Sequence, residues 1–310
     1  KCYSPIVLSK VSIKDKETIK WKMNLEETTP LRLDCSSIPE FVCLKAKQEL
    51  GETEIKIDKC LKEIRKLITN EAKLTSNTSD NFLLQFLRAR KYITHEAFDL
   101  LKRYYQHRKT YASLYENYSP KQLRDVMDKN IMNFLPTRNS DGCAVWAVQF
   151  GKWDPEVTSF DDILRFGLLC NEQALKNPVT QISGVVSVVD LKELSWTHLF
   201  HIPSTSLRCY INATQDSLPI RHKAIHVINN PSIFAFLFAA LKPLLNPKLK
   251  DRIHFHGSNL NSLHQFLPAD TLPEEFGGTQ GTFQNQKFYS SLLASEDEFI
   301  DCNKFGYKTK

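Results

Sequence analysis

The sequence predicts an α/β fold in which an all-helical N-terminal block precedes a mainly parallel sheet. Three observations predict it. From Ser37 to about Tyr118, apolar residues recur at helical spacing. Beyond Pro120, runs of β-formers bounded by Gly and Pro alternate with helical stretches, the spacing of right-handed βαβ crossovers. The composition, 42% hydrophobic and 25% charged over 310 residues, supports a large core and excludes disordered, collagenous and coiled-coil classes.

Residues 1–36 lack a clear period and read as an extended arm. Ser37 is a candidate N-cap with Pro39 in the first turn; Leu44, Leu50, Ile57, Leu61, Ile64, Leu67 and Ile68 then describe two helices broken near Gly51. Asp80 is a candidate cap for "NFLLQFLRARKY", which sets Phe82, Leu83, Phe86 and Leu87 on one face, and a strongly amphipathic helix begins at Thr94. A strand falls within 142–155 and a helix over 158–176. The valine run inside 182–194 reads as a buried parallel strand. A helix over 203–219, a strand over 222–231, an apolar helix over 233–241 and a strand over 252–257 follow, and a short helix and turn close the domain. The expected units are an arm (1–36), a helical domain (37–118), a sheet domain (119–280) and a tail (281–310) whose acidic "SEDEFID" reads as solvated.

Charge is concentrated. Of a net +6, most arises between Arg208 and His256, where Arg208, Arg221, Lys223, Lys242, Lys248, Lys250 and Arg252 face only Asp216 and Asp251. A field this local suits an anionic partner. The apolar run Ile233–Leu241 is far short of the roughly 20 residues of a bilayer span. No signal-peptide core opens the chain, and its eight cysteines include no CxxC pair, so reduced thiols and a cytoplasmic location are expected. No GxGxxG, GxxxxGK[ST] or GxSxG occurs, and no catalytic set assembles. Asp190 ends a strand without an evident partner and reads as a cap or hydrogen-bond anchor. His254 and His256 share a strand face, but no third ligand is spaced to complete a metal site. No cofactor is implied. The basic residues are not interleaved with aromatics as in single-strand or RNA readers, which argues against nucleic acid.

"SIFAFLFAAL" is apolar on every side: Phe234, Phe238 and Leu241 line one face, Phe236 and Ala240 another. A helix of that kind is either buried all round or sandwiched between two apolar environments, as a lid over a cavity would be at a bilayer surface. "FLRARK" (86–91), "HVINNP" (226–231), "KPLL" (242–245), "RIHFHG" (252–257) and "LPEEFGG" (272–278) together closely resemble the CRAL-TRIO lipid-binding family, within the branch of tocopherol transfer protein, retinaldehyde-binding protein and the clavesins. The resemblance spans about residues 40–280. It implies a helical domain followed by a sheet that floors an apolar cavity, with the helix after "HVINNP" as a mobile gate. It also implies a phosphoinositide cleft at Arg221, Lys223, Lys248 and Arg252, with Lys242 and Lys250 as contributors and Arg208 as a looser match, and domain-pairing roles for Arg88 and Arg90.

Inward candidates are Trp146, Val148 and Phe150, then Val186 and Val188, then Phe234, Leu237, Phe238 and Leu241, with Phe166, Leu169 and Cys170 from the first crossover helix. Plain core packing is an equal alternative for most of them. "DLKELSW" (190–196) departs from the branch's D-L-E-G-W by an inserted residue and a lost glycine, so ligand identity is not carried over. The leading expectation is a non-enzymatic carrier of a tocopherol, retinoid, carotenoid or other isoprenoid-like molecule, reversibly attached to membranes. A phospholipid exchanger and a cargo-free endosomal adaptor are the alternatives.

Overall fold

The computed structural model describes residues 31–307. Most of the expected arm lies outside them; its end pairs with the sheet domain, Leu33 N donating to Pro136 O at 2.8 Å. Helix α1 (Glu40–Lys45) starts behind Pro39 rather than at Ser37, and runs through a π turn to Gly51, whose φ of 64° supplies the left-handed C-terminal position. Thr53 Oγ1 accepts from Lys56 N at 3.2 Å and opens α2 (Glu54–Asn70). A short β1 (Leu74–Thr75) precedes α3 (Asp80–Ala89), whose cap position is held by Ser79 rather than Asp80, and α4 (Thr94–Thr110). Ile64 of α2, Leu83 and Phe86 of α3 and Leu101 of α4 are buried in one core, as the helical periodicity requires.

Past α5 (Arg124–Asp128) the chain builds five strands in sequential order: β2 (Met132–Phe134), β3 (Ala144–Gln149), β4 (Val185–Asp190), β5 (His222–Ile228) and β6 (Ile253–Gly257). β2 is antiparallel to β3 and the others are parallel. β2 escapes sequence reading because its three residues are all buried and too few to show alternation. The crossovers carry α6 (Phe160–Leu175) with α7 (Pro178–Ser183), then α8 (Trp196–Phe200) with α9 (Ser204–Asn212), then α10 (Phe234–Leu241) with α11 (Pro247–Lys250). α12 (Leu260–His264), α13 (Gln286–Ala294) and α14 (Glu296–Cys302) follow, and β7 (Gly306–Tyr307) returns to pair with β1.

Register decides which side of the sheet each residue serves. Trp146 pairs with Ser187 and Val148 with Val189 on one face; Val145 pairs with Val186 and Ala147 with Val188 on the other. The second face packs against Leu263, Leu267 and Phe276. The expected inward placement of Val186 and Val188 is therefore off by one residue. Because β4 is buried on both sides, valines occupy both of its faces, and their pattern carries no parity.

The acidic tail is solvated only in part: Asp297, Glu298 and Asp301 are exposed as expected, while one carboxylate is not. Glu296 is buried and accepts from Ser119 Oγ at 2.7 Å and from Lys121 N at 2.8 Å, while Phe299 meets the Tyr118 ring at 6.2 Å. Its acidic residues occupy the first turn of α14, where the helix dipole favours them.

One buried arginine joins the helical block to the sheet domain. Arg88 grips Glu52 with two bonds of 2.8 and 2.9 Å and donates a third to Gln181 Oε1 of α7 at 2.6 Å. Removing one partner of such a pair strands the other charge in a dry site. Arg88→Ala is expected to destabilise the fold by about 3 kcal/mol in denaturant unfolding, and an unchanged midpoint would refute this role.

Candidate ligand cavity and basic cluster

A cavity of about 250 Å³ lies between the β3–β6 face of the sheet, α6, α9 and α10. Trp146, Val148 and Phe150 line its floor from β3 and the residue after it. Phe234, Leu237, Phe238 and Leu241 roof it at the i, i+3, i+4, i+7 positions of α10, while Phe236 points outward and is 65% exposed. In place of Val186 and Val188 the floor holds Ser187 and Val189. In place of Phe166, Leu169 and Cys170, α6 turns Ile163, Leu164 and Gly167 to the cavity. The three expected residues are buried elsewhere, Phe166 against the Tyr289 ring at 6.1 Å. Because α6 is packed on nearly every side, its sequence carries no marker of which apolar face meets the void. Sequence reading also missed the α9 wall (Leu207, Tyr210, Ile211) and His222, whose polar atoms carry no cavity signature in one dimension.

The roof is held to the sheet by rings. Phe234 and Phe238 meet Phe255 of β6 at 5.9 and 5.0 Å. Polar clamps fix its two ends. Asn229, at φ 51°, donates from Nδ2 to Asp190 Oδ1 at 2.9 Å, the anchoring role read for Asp190. Gln215 donates to Leu244 O at 2.8 Å and accepts from Asn246 N at 3.0 Å. Leu191 and Leu194 of the divergent "DLKELSW" turn pack with Phe234, and Glu193 takes φ 69°, a conformation that favours glycine.

The basic residues divide into two groups. Arg221 and Lys223 bond Glu49 at 2.7 and 2.9 Å, so part of their charge is already answered from the helical block. Burial alone would raise the Glu49 carboxyl, but hydrogen bonds from Lys223 and Arg221, with Lys45 nearby, outweigh it and hold it at about 2. Lys248 is depressed by burial first, then by the charges of Arg252, Arg90, Lys91 and Arg221. Lys248 and Arg252 beyond the roof therefore share a positive region with Arg90 and Lys91 of the "FLRARK" segment, close enough for Lys248 to feel their charges. Arg90 forms no ion pair among the described residues; it is partly buried and feels the charges of Arg103, Glu96 and Asp216, the last of these from the sheet domain. Arg208, Lys242 and Lys250 also form no ion pair among the described residues.

On the far face of the sheet His226 shares a 2.9 Å hydrogen bond with His256, which shares another of 2.8 Å with Ser262, and His254 stacks on Phe266. Among the described residues no group of three or more His, Cys, Asp or Glu is arranged to hold a metal. No helix among them is long and apolar enough to cross a membrane.

Comparison with known proteins matches residues 128–278 to the CRAL/TRIO domain. The alpha-tocopherol transfer protein-like protein of Homo sapiens is 35% identical over 265 residues, covering 85% of this chain and 78% of that protein. The chain belongs to the CRAL/TRIO family. Clavesin-1 of Rattus norvegicus is 32% identical over 280 residues, covering 89% of this chain and 78% of its own length. The crystal structure of Sfh5 shares the fold, with a TM-score of 0.52 at 14% identity, covering 86% of this chain and all of the other. The CRAL/TRIO match contains the whole cavity wall and both roof clamps, but not Glu49, Arg90 or Lys91. The cluster is a joint product of the family domain and the helical block.

Two imidazoles of β5 set an acid limit on this arrangement. Burial holds His222 at about 4, and burial together with His256 and His254 holds His226 at about 4. An unfolded imidazole takes its proton near pH 6.5, so unfolding binds protons between these values and stability falls as pH drops through the window. Each site contributes at most about 3 kcal/mol to that loss. Chemical denaturation from pH 7 to pH 4 is expected to show the decline, and His222→Gln to remove part of it; a flat profile would exclude buried neutral imidazoles.

Proposed function

We propose that this protein is a non-enzymatic carrier of a hydrophobic small molecule of tocopherol, retinoid, carotenoid or similar isoprenoid character, which it loads and unloads at membranes bearing phosphoinositide. The observation that carries the reading is the cavity wall, which has no Asp, Glu, Lys or Arg and is closed by a helix with no polar side chain. A phospholipid cargo would bury its phosphate without a counter-charge, at a cost of several kcal/mol, so the exchanger reading is disfavoured. The open cavity speaks against a cargo-free adaptor. The relative named for tocopherol transfer supports a carrier role.

Two surface features support the membrane step. Trp196 and Phe200, one turn apart on α8, are 50% and 80% exposed and stack at 6.0 Å, and Phe236 on the outer face of the roof reaches Trp196 at 5.3 Å. Rings of this size, inserted into lipid, contribute about 1.5–3 kcal/mol each. Lys248 and Arg252, near Arg90 and Lys91, supply cations worth about 1 kcal/mol apiece at an anionic surface. Gate opening would then need only apolar contacts to exchange one greasy surface for another.

Mass spectrometry of lipid extracted from purified protein is expected to find an apolar guest; protein that emerges empty and takes up no added lipid would refute the reading. In liposome flotation, Lys248→Glu/Arg252→Glu is expected to weaken binding to phosphoinositide vesicles at least tenfold while leaving cargo uptake intact. Phe200→Asp/Phe236→Asp is expected to weaken binding to neutral and anionic vesicles alike. Flotation unaffected by either pair would exclude this docking face.

A further inference from the structure

One part of the apolar cavity is polar. His222 opens β5 with its ring in the wall, and neither Nδ1 nor Nε2 has a hydrogen-bond partner although both are buried. The Thr214 backbone lies close enough to favour the charged ring slightly, but not in bonding geometry with either nitrogen. Tyr210, one helical turn before Thr214 and bonded to it through its backbone carbonyl (Thr214 Oγ1 to Tyr210 O, 3.0 Å), also lines the cavity, and its phenol makes no hydrogen bond among the described residues. The Ser187 hydroxyl, further along the neighbouring strand, is likewise unpaired. Buried polar groups are nearly always paired. Two buried ring nitrogens without partners, with two further unpaired hydroxyls on the same otherwise apolar wall, describe a recognition site lacking its other half.

The donor and acceptor count selects the chemistry. A neutral imidazole offers one donor and one acceptor, and so does an alcohol. A carboxylate offers only acceptors and would enter a wall that holds no cation. A pure hydrocarbon would leave both ring nitrogens dry.

We propose that His222 is the polar anchor of the cavity, and that the cargo is an otherwise apolar molecule with one neutral hydroxyl at its end, exchanging hydrogen bonds with the His222 imidazole and the Tyr210 phenol. This rests on the carrier reading and deepens it by naming the group that orients the guest. The anchor adjoins the basic cluster, since Arg252 Nη1 donates to the His222 carbonyl. The hydroxyl end of the guest therefore sits at the cluster side of the cavity.

The test uses the full chain and three probes of one skeleton: farnesol, farnesene and farnesoic acid. Each is delivered from cyclodextrin and followed by tryptophan fluorescence, Trp146 lying in the wall. Wild type is expected to bind farnesol about tenfold more tightly than farnesene, the worth of roughly one buried hydrogen bond. His222→Leu should abolish that preference while farnesene binding persists, and His222→Gln, which keeps a donor and an acceptor, should retain most of it. The ¹⁵N resonances of His222 in wild type should move with farnesol and not with farnesene, a readout that also decides the matter if His222→Leu fails to fold. Equal affinities for farnesol and farnesene, a preference that survives His222→Leu, unmoved ¹⁵N resonances or tightest binding of farnesoic acid would overturn the anchor and leave the carrier reading standing. If none of the three binds, the carrier reading falls and the anchor with it.

Discussion

Phe255 of β6, with the rings of Phe234 and Phe238 packed on it at 5.9 and 5.0 Å, holds α10 over the sheet and so encloses the cavity. Contact between rings is non-directional, and its strength scales with the apolar area withdrawn from water. A helix attached in this way has no ladder of hydrogen bonds to break when it lifts, and a lipid surface can take the place of the sheet face. The polar bonds sit where displacement would be least, at Asn229 before the roof and at Leu244 and Asn246 after it. Position along the chain separates the polar anchors from the apolar roof.

The same chain segment carries cargo contacts and surface charge. Leu241 is in the cavity wall, and Lys248 and Arg252 follow within the same crossover. Arg252 touches the backbone of His222, a wall residue. The helical block completes the cluster with Arg90 and Lys91, and its Glu49 restrains Arg221 and Lys223. Coulomb repulsion within such a group is a standing cost that an anionic headgroup would relieve, which would give the proposed docking step a physical driving force. Arg88, two residues from Arg90, does the opposite job, spending its charge inside the protein on Glu52 and Gln181.

Much of this was legible in one dimension. The helices of the N-terminal block, the alternation of strands and helices after Pro120 and the limits of α10 follow from periods of 3.6 and 2 residues and from turn residues. The roof positions Phe234, Leu237, Phe238 and Leu241 were readable because they follow the i, i+3, i+4, i+7 spacing of one helix face. Val186, Val188, Phe166, Leu169 and Cys170 were misplaced because β4 and α6 are buried on more than one face, and no local contrast marks which buried face meets the void. The tail was legible in part: Asp297, Glu298 and Asp301 face solvent as their charge suggests, but nothing local marks Glu296 as the one that is buried against Ser119 and Lys121.

By itself, the sequence determined the main helices and the four parallel strands between Ser37 and Gly257, where the positive charge gathers along the chain, and that one helix would have no polar face, since each of these follows from neighbours within a few residues. Only the tertiary structure decided the parity of the valine strand, the rotation of α6, the nearness of Arg90 to Lys248 and the unpaired ring of His222 inside the cavity. Those depend on which distant segments come to lie side by side. Parallel register and packing, set by contacts between residues far apart in the chain, fix that choice, and no local pattern encodes it.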